Sequence, residues 1–203
     1  MNSNSIKIVL IGETETGKTS LLKSKNEIIS PTIGLDFRNK QFKLSSGLEV
    51  RIQIVDTSGL EKFHPISVNH CRLAHGIILV YDISKRETFS ELSSRYADII
   101  KNSNFRKLEK VVIANKADLE HIRTVSTDEG DGFAKVIDAK YVEMSSREFL
   151  NNNTIESVLL GMAENISKKT NMKQWDEDLI LEPLIKSDIS KKKMLCVAII
   201  SSF

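Results

Sequence analysis

The segment GETETGKTS at 12–20 carries the clearest chemistry in the chain. It fits G-x-x-x-x-G-K-[ST] and follows a short apolar run, the strand–loop–helix setting in which such a loop cradles an anion. Gly12 and Gly17 let the backbone fold around a phosphate without side-chain clash. The amides of Thr14, Glu15, Thr16, Gly17, Lys18, Thr19 and Ser20 then form a nest, backed by the positive end of a helix starting near Lys18. Lys18 brings a full charge to the outer phosphates, and the Thr19 hydroxyl can bind Mg²⁺. A second signal, DTSG at 56–59, ends another apolar run, and an Asp beside the loop is suited to hold that metal through water. A third, NKAD at 115–118, selects the base. The Asp118 carboxylate only accepts hydrogen bonds, and guanine offers two donors on one edge, N1–H and the 2-amino group. Adenine lacks that pair and would leave the carboxylate unmatched. Asn115 can tie this loop to the phosphate loop, and the Lys116 stem can lie on base or sugar. MSSR at 144–147 brings the amides of Ser145, Ser146 and Arg147 within reach of the guanine carbonyl.

These residues need a scaffold, and the chain spells one. SIKIVLI at Ser5–Ile11 is branched and almost wholly apolar, as in a strand buried on both faces of a parallel sheet. RIQIV (51–55), GIILVYD (76–82), KVVIANK (110–116) and KYVEMS (140–145) repeat the pattern. Between them, 87–100 and 155–166 show helical spacing, with Phe89, Leu92, Tyr96, Ile99 and Ile100 on one stripe and Ile155, Val158, Leu159, Met162 and Ile166 on the other. Alternating strands and helices predict βαβ units with right-handed crossovers. One exception is expected: 37–44 and 49–55 flank Ser45, Ser46 and Gly47, a hairpin signal, so one strand should run antiparallel. That makes six strands.

The 203 residues include 40% apolar and 28% charged side chains, enough for a core and against wholesale disorder. Lys plus Arg is 29 and Asp plus Glu 27, so no general attraction to nucleic acid is expected. Cys71 and Cys196 stand far apart, which excludes a disulfide scaffold and suits a reducing compartment. No apolar run reaches the ~20 residues of a membrane span, and the polar start reads as no secretory signal. His64, His70 and His75 fit no zinc spacing and read as surface or partner-facing residues. After Lys169 the character changes: an acidic cluster (Asp176, Glu177, Asp178), Pro183, three lysines at 191–193 and a short apolar end. The expected division is therefore a domain over 1–169 and a flexible tail over 170–203.

Taken in order, these motifs resemble those of Ras-superfamily small GTPases, and more narrowly of Rab proteins. IGLDF (33–37), RIQIVDTSG (51–59), KFHPIS (62–67), HCRLAHG (70–76) and LVYDIS (79–84) are similar to Rab-typical segments. The resemblance covers about residues 5–169. It implies an α/β P-loop NTPase G domain: a six-stranded, mostly parallel sheet with one antiparallel strand and helices on both faces. It implies GTP/GDP with Mg²⁺ as ligands, metal contacts from Thr19, Thr32 and Asp56, and γ-phosphate contacts from the Thr32 and Gly59 amides. Loss of those contacts on hydrolysis would relax switch I and switch II. The expected partners are effector, exchange and activating proteins in vesicle trafficking. The expected place is cytoplasmic, with peripheral contact on endomembranes, and the chain a monomer. Ile33, Phe37 and Phe63 are candidate effector anchors, while Phe37 on an alternating strand fits a core position equally well.

Four departures qualify the resemblance. Leu60 follows Gly59 where the family usually carries the glutamine that orients the attacking water. Leucine can neither donate nor accept, so slow intrinsic hydrolysis is expected, and a GTP-locked or nucleotide-weak interaction module is the rival reading. Glu15 stands in the phosphate loop, where its carboxylate either repels phosphates or turns to solvent. The stretch up to Thr32 is about five residues short of the family norm and has no aromatic from Leu21 on, which would forfeit a contact with the base. Arg147 replaces the usual lysine. Beyond these, the final residues ISSF form no prenylation motif. The lysines at 191–193 and Cys196 leave weak or acyl-mediated membrane contact open, beside a soluble frayed tail.

Overall fold

The computed structural model describes residues 5–22, 32, 34–59, 71, 74–101, 108–147 and 155–169. Within them six strands form one sheet: β1 (Ser5–Ile11), β2 (Leu35–Lys43), β3 (Glu49–Thr57), β4 (Gly76–Asp82), β5 (Glu109–Asn115) and β6 (Lys140–Met144). Their spatial order is β2-β3-β1-β4-β5-β6. β2 and β3 pair antiparallel, from Leu35 opposite Thr57 to Lys43 opposite Glu49, and every other pairing is parallel. The expected hairpin and the single antiparallel strand are both present. Each of its strands reaches two residues further toward the site than the apolar pattern indicated, because main-chain pairing continues through polar Asp56 and Thr57.

Helices cover both faces. α1 (Lys18–Leu21) and α4 (Ile155–Lys169) lie on one, and α2 (Arg86–Lys101) and α3 (Thr127–Val136) on the other. Residues of β4 alternate between the two cores. Ile77, Leu79 and Tyr81 pack with Phe89, Leu92, Tyr96 and Phe133, and Ile78 and Val80 with Leu159, Met162 and Ile166. All seven residues of β4 are buried, which is why the strand reads as one continuous apolar run.

α3 is only ten residues long and carries two glycines, so its sequence does not announce a helix. Its start is nonetheless written in Ser126 and Glu129, a capping box in which the Glu129 amide donates to Ser126 Oγ (3.3 Å) and the Ser126 amide donates to Glu129 Oε2 (2.9 Å). Gly130 makes room for two tyrosines here. A Cβ would overlap the Tyr81 hydroxyl, with the Tyr141 ring 2.6 Å away.

The sheet order places β1 between β3 and β4, the point where the winding reverses and a crevice opens beyond the strands' carboxyl ends. The phosphate loop leaves β1 there, and the segments after β3, β4, β5 and β6 end beside it. The Thr57 hydroxyl donates to the Leu10 carbonyl (2.7 Å) and pins the end of β3 to that of β1.

Candidate functional site

The phosphate loop is shaped by what cannot fit in it. A Cβ on Gly12 would overlap the Val80 carbonyl, and one on Gly17 would overlap the Asn115 amide nitrogen. Gly17 also sits at φ 90°, left-handed backbone that favours glycine, and caps α1. Thr16 is fully buried, and its hydroxyl and amide both turn back to the Glu13 carbonyl (2.9 and 3.4 Å). So of the expected inward run of amides, that of Thr16 is spent inside the loop itself. Thr14 is exposed and Ser20 half-buried on the first helical turn.

Lys18 is buried, and its ammonium donates to the Gly12 (2.9 Å) and Glu13 (2.7 Å) carbonyls. Burial pulls its pKa down to about 8, with the Asp56 charge opposing. Asp56 is fully buried, and burial raises its pKa against the hydrogen bond from Thr19. Three oxygen groups converge here. Thr19 Oγ1 donates to Asp56 Oδ2 (2.5 Å), Thr32 Oγ1 donates to the same atom (3.2 Å), and the two hydroxyls lie 2.7 Å apart. Asp56 Oδ1 is buried without a hydrogen-bond partner. An all-oxygen set with an orphaned carboxylate oxygen fits a hard divalent cation such as Mg²⁺. Among the described residues no cluster of three His, Cys, Asp or Glu side chains offers a rival metal site.

The base end is assembled around Asn115, which is fully buried. Its Nδ2 donates to the Thr16 carbonyl (2.7 Å), and its Oδ1 accepts from the Ser146 amide (3.2 Å). One side chain thus ties the phosphate loop to the MSSR loop, the second of these ties being one that the sequence reading did not include. Asp118 opens a short 3-10 helix (Ala117–Ile122), and its Oδ1 accepts from Ser145 Oγ (2.5 Å). The Arg147 amide donates to the same Ser145 oxygen (3.1 Å). Behind them Arg123 forks onto Glu143, with Nη1 to Oε1 at 3.1 Å and Nη2 to Oε2 at 2.9 Å. That bidentate pair sets the spacing between the 3-10 segment and β6. Lys116 sits at φ 65°, and its ammonium pairs with Asp82 (2.7 Å) at the end of β4. Burial raises the Asp82 carboxyl, but the hydrogen bonds from Lys116 and Ser84 outweigh it and hold the pKa below the usual value.

Both carboxylates of the phosphate loop are claimed from outside it. Glu15, at φ 65°, is exposed and pairs with Lys85 (2.8 Å), a hydrogen bond that holds its pKa low. Of the two readings of Glu15, the structure has the one turned to solvent. Glu13 is paired with the buried Arg95 of α2. Arg95 also donates to the Gly59 carbonyl (3.0 Å), and Gly59 lies so close to the loop that a Cβ would overlap the Thr14 amide nitrogen. Glu13, Lys85 and Arg95 were not singled out by motif. The available signal is Arg95 itself, a charged residue three after Leu92 and four before Ile99 on the core-facing stripe.

One open alternative is decided and one expectation is corrected. Phe37 is not core: it is 48% exposed, on the edge-strand face it shares with exposed Asn39, Gln41 and Lys43. His75 is not simply a surface group, since its Nδ1 accepts from the Lys7 amide (2.7 Å) and so joins the start of β1 to that of β4. Ile33, Leu60, Phe63, His64, His70 and the whole 170–203 segment, including Cys196, lie outside the described residues. So do the residues of the short stretch before Thr32 from 23 on. Among the described residues no helix is long and apolar enough to cross a membrane.

Comparison with known proteins agrees with this architecture. Residues 7–168 match the Ras family. Ras-related protein RABC2b of Arabidopsis thaliana is 40% identical over 166 residues, covering 79% of this chain and 80% of the relative. RABA5e of the same plant is 35% identical over 196 residues, covering 92% and 89%. Rab-10 of Diplobatis ommata is 34% identical over 177 residues, covering 85% and 86%. The chain belongs to the Ras family of small GTPases and is Rab-like within it.

Proposed function

We propose that this GTPase switch binds GTP or GDP with Mg²⁺ over the phosphate loop, recruits effectors in vesicle trafficking through switch I and switch II, and hydrolyses GTP slowly on its own. The observation that carries the ligand reading is the convergence of Thr19, Thr32 and Asp56 on one point beside Lys18. In this reading Thr19, Thr32 and Asp56 hold the metal, which when bound would neutralise charge on the outer phosphates. Lys18 holds the β- and γ-phosphates, and the Thr32 and Gly59 amides meet the γ-phosphate. The loop amides of Thr14, Glu15, Gly17, Lys18, Thr19 and Ser20 line the remaining oxygens, with Thr16 bracing the loop behind them. Asp118 takes the two guanine donors, Ser145, Ser146 and Arg147 flank the guanine carbonyl, and Asn115 and Lys116 brace the loop. We assign this machinery to residues 1–169 and leave 170–203 as a tail making weak or acyl-mediated contact with endomembranes.

Phe37 supports the effector reading, because it presents a half-exposed aromatic ring on the edge strand beside the site. Leu60 supports slow hydrolysis and equally supports the second reading, a GTP-locked module that binds partners without turnover. Two measurements decide. Nucleotide released from the purified, denatured chain should be guanine nucleotide, and no heat on titration with millimolar GDP and Mg²⁺ would refute the ligand reading. Leu60→Gln should raise single-turnover GTP hydrolysis about tenfold or more by restoring a water-orienting amide. A parent that already turns over as fast as the variant would refute the slow-hydrolysis claim.

A further inference from the structure

Arg95 is the least expected residue near the site. An arginine on the apolar stripe of a core helix must be dehydrated, and that is tolerated only where its donors are matched. Here they are. Nε donates to Glu13 Oε1 (2.5 Å), and Nη2 donates to the carbonyl of Gly59 (3.0 Å). The first partner belongs to the phosphate loop and the second to the segment that leads into switch II. Gly59 is held from its other side too, because its α-carbon packs against the Glu13–Thr14 backbone with no room for a methyl group.

We propose that Arg95 is a positioning residue of the switch. Its guanidinium, anchored on Glu13, fixes the Gly59 carbonyl and thereby pre-aims the Gly59 amide at the terminal phosphate. The inference rests on the nucleotide reading above and adds to it a residue outside the nucleotide's own contacts.

The physical ground is the freedom of glycine. A glycine has the widest backbone choice of any residue, and ordering it on binding subtracts from affinity. A peptide plane is rigid, so holding the carbonyl of residue 59 orients the plane on the carboxyl side of its α-carbon. The amide of the same residue is separated from that plane only by this glycine's φ and ψ, and crowding of its α-carbon by the Glu13–Thr14 backbone narrows both. Only arginine does this well, since its planar fork reaches two acceptors in fixed directions where a lysine ammonium acts as a point charge. All three groups of the clasp belong to the protein. Its benefit therefore appears only with a ligand that engages the Gly59 amide, which is the triphosphate and not the diphosphate.

The test is the ratio of affinities. Kd values for fluorescent GDP and for a non-hydrolysable GTP analogue, both with Mg²⁺, are measured on the full chain and on Arg95→Gln. The variant should bind the triphosphate analogue about tenfold more weakly relative to GDP, the scale of ordering one backbone residue. Arg95→Lys should show most of the same change. Because Arg95→Gln strands the Glu13 carboxylate, the double variant Glu13→Gln/Arg95→Gln is measured as well. It removes the buried pair together and should show the same shift in ratio. An unchanged ratio, or an equal loss toward both nucleotides, overturns the positioning role. A parent that binds neither nucleotide overturns this inference together with the reading it rests on, whereas a parent that binds both with a variant ratio like its own overturns this inference alone.

Discussion

Lys18 gives the sharpest quantitative prediction. Its ammonium is buried between two carbonyls and an Asp56 carboxyl that is itself dehydrated. Burial lowers its pKa from 10.5 to about 8. Between pH 8 and pH 10.5 the unfolded chain therefore keeps a proton on this residue that the folded chain has released. Stability rises with pH wherever the unfolded state binds more protons, so the Lys18 contribution is unfavourable below pH 8 and is relieved as pH climbs. From pH 7 to pH 9.5 the relief amounts to about 2 kcal/mol at ~1.4 kcal/mol per pH unit above 8. The measurement is urea denaturation followed by circular dichroism, without nucleotide, on the parent and on Lys18→Met at several pH values. Tyrosine and carboxyl titrations are shared by both proteins and cancel in the difference. The parent should gain about 2 kcal/mol on the variant over that interval. Parallel curves would refute the claim that Lys18 is held dehydrated. Phosphate binding should return the proton, so GDP affinity should weaken as pH rises above 8.

Other expectations follow from the same geometry. Glu15→Gly should change the GDP dissociation rate less than about threefold, because the Glu15–Lys85 pair is exposed and such pairs contribute little; a larger change would mean the carboxylate acts on the phosphates. Asp118→Asn should lower guanine nucleotide affinity about 100-fold or more and favour xanthine nucleotides, since an amide offers a donor where the base then carries a carbonyl; competition binding with XDP reads both. Gly130→Ala should cost about 1–3 kcal/mol in urea denaturation through overlap with Tyr81 and Tyr141, with nucleotide specificity unchanged.

What the sequence displays and what it hides differ for physical reasons. Strands buried on both faces are legible because nearly every residue along them is apolar, as in β1 and β4. The residues that meet at the carboxyl ends of β1, β3 and β5 are legible because glycine, lysine, threonine and aspartate recur at fixed spacings there. α3 is hidden because it is short and its inward face is made partly of Gly130 and Glu129, so that of its buried residues only Phe133 and Ala134 mark it as apolar. The facing of Phe37 is undecided by alternation alone, since a period of two does not say which face of an edge strand is covered. The clasp of Glu13, Arg95 and Gly59 joins residues 36 and 82 apart in the chain. No local pattern marks such a meeting. Only the oddity of an arginine among core leucines and isoleucines hints at it.

Asn115 couples two regions through a single amide group, with one end on the phosphate loop and the other on the loop after β6. The two halves of the crevice are therefore not independent doors. Prising the purine side outward pulls on the Thr16 carbonyl, and lifting the phosphate side pulls on the Ser146 amide. On the nucleotide reading proposed above, departure of the guest would be a concerted event, and a push at one end would suffice to speed it.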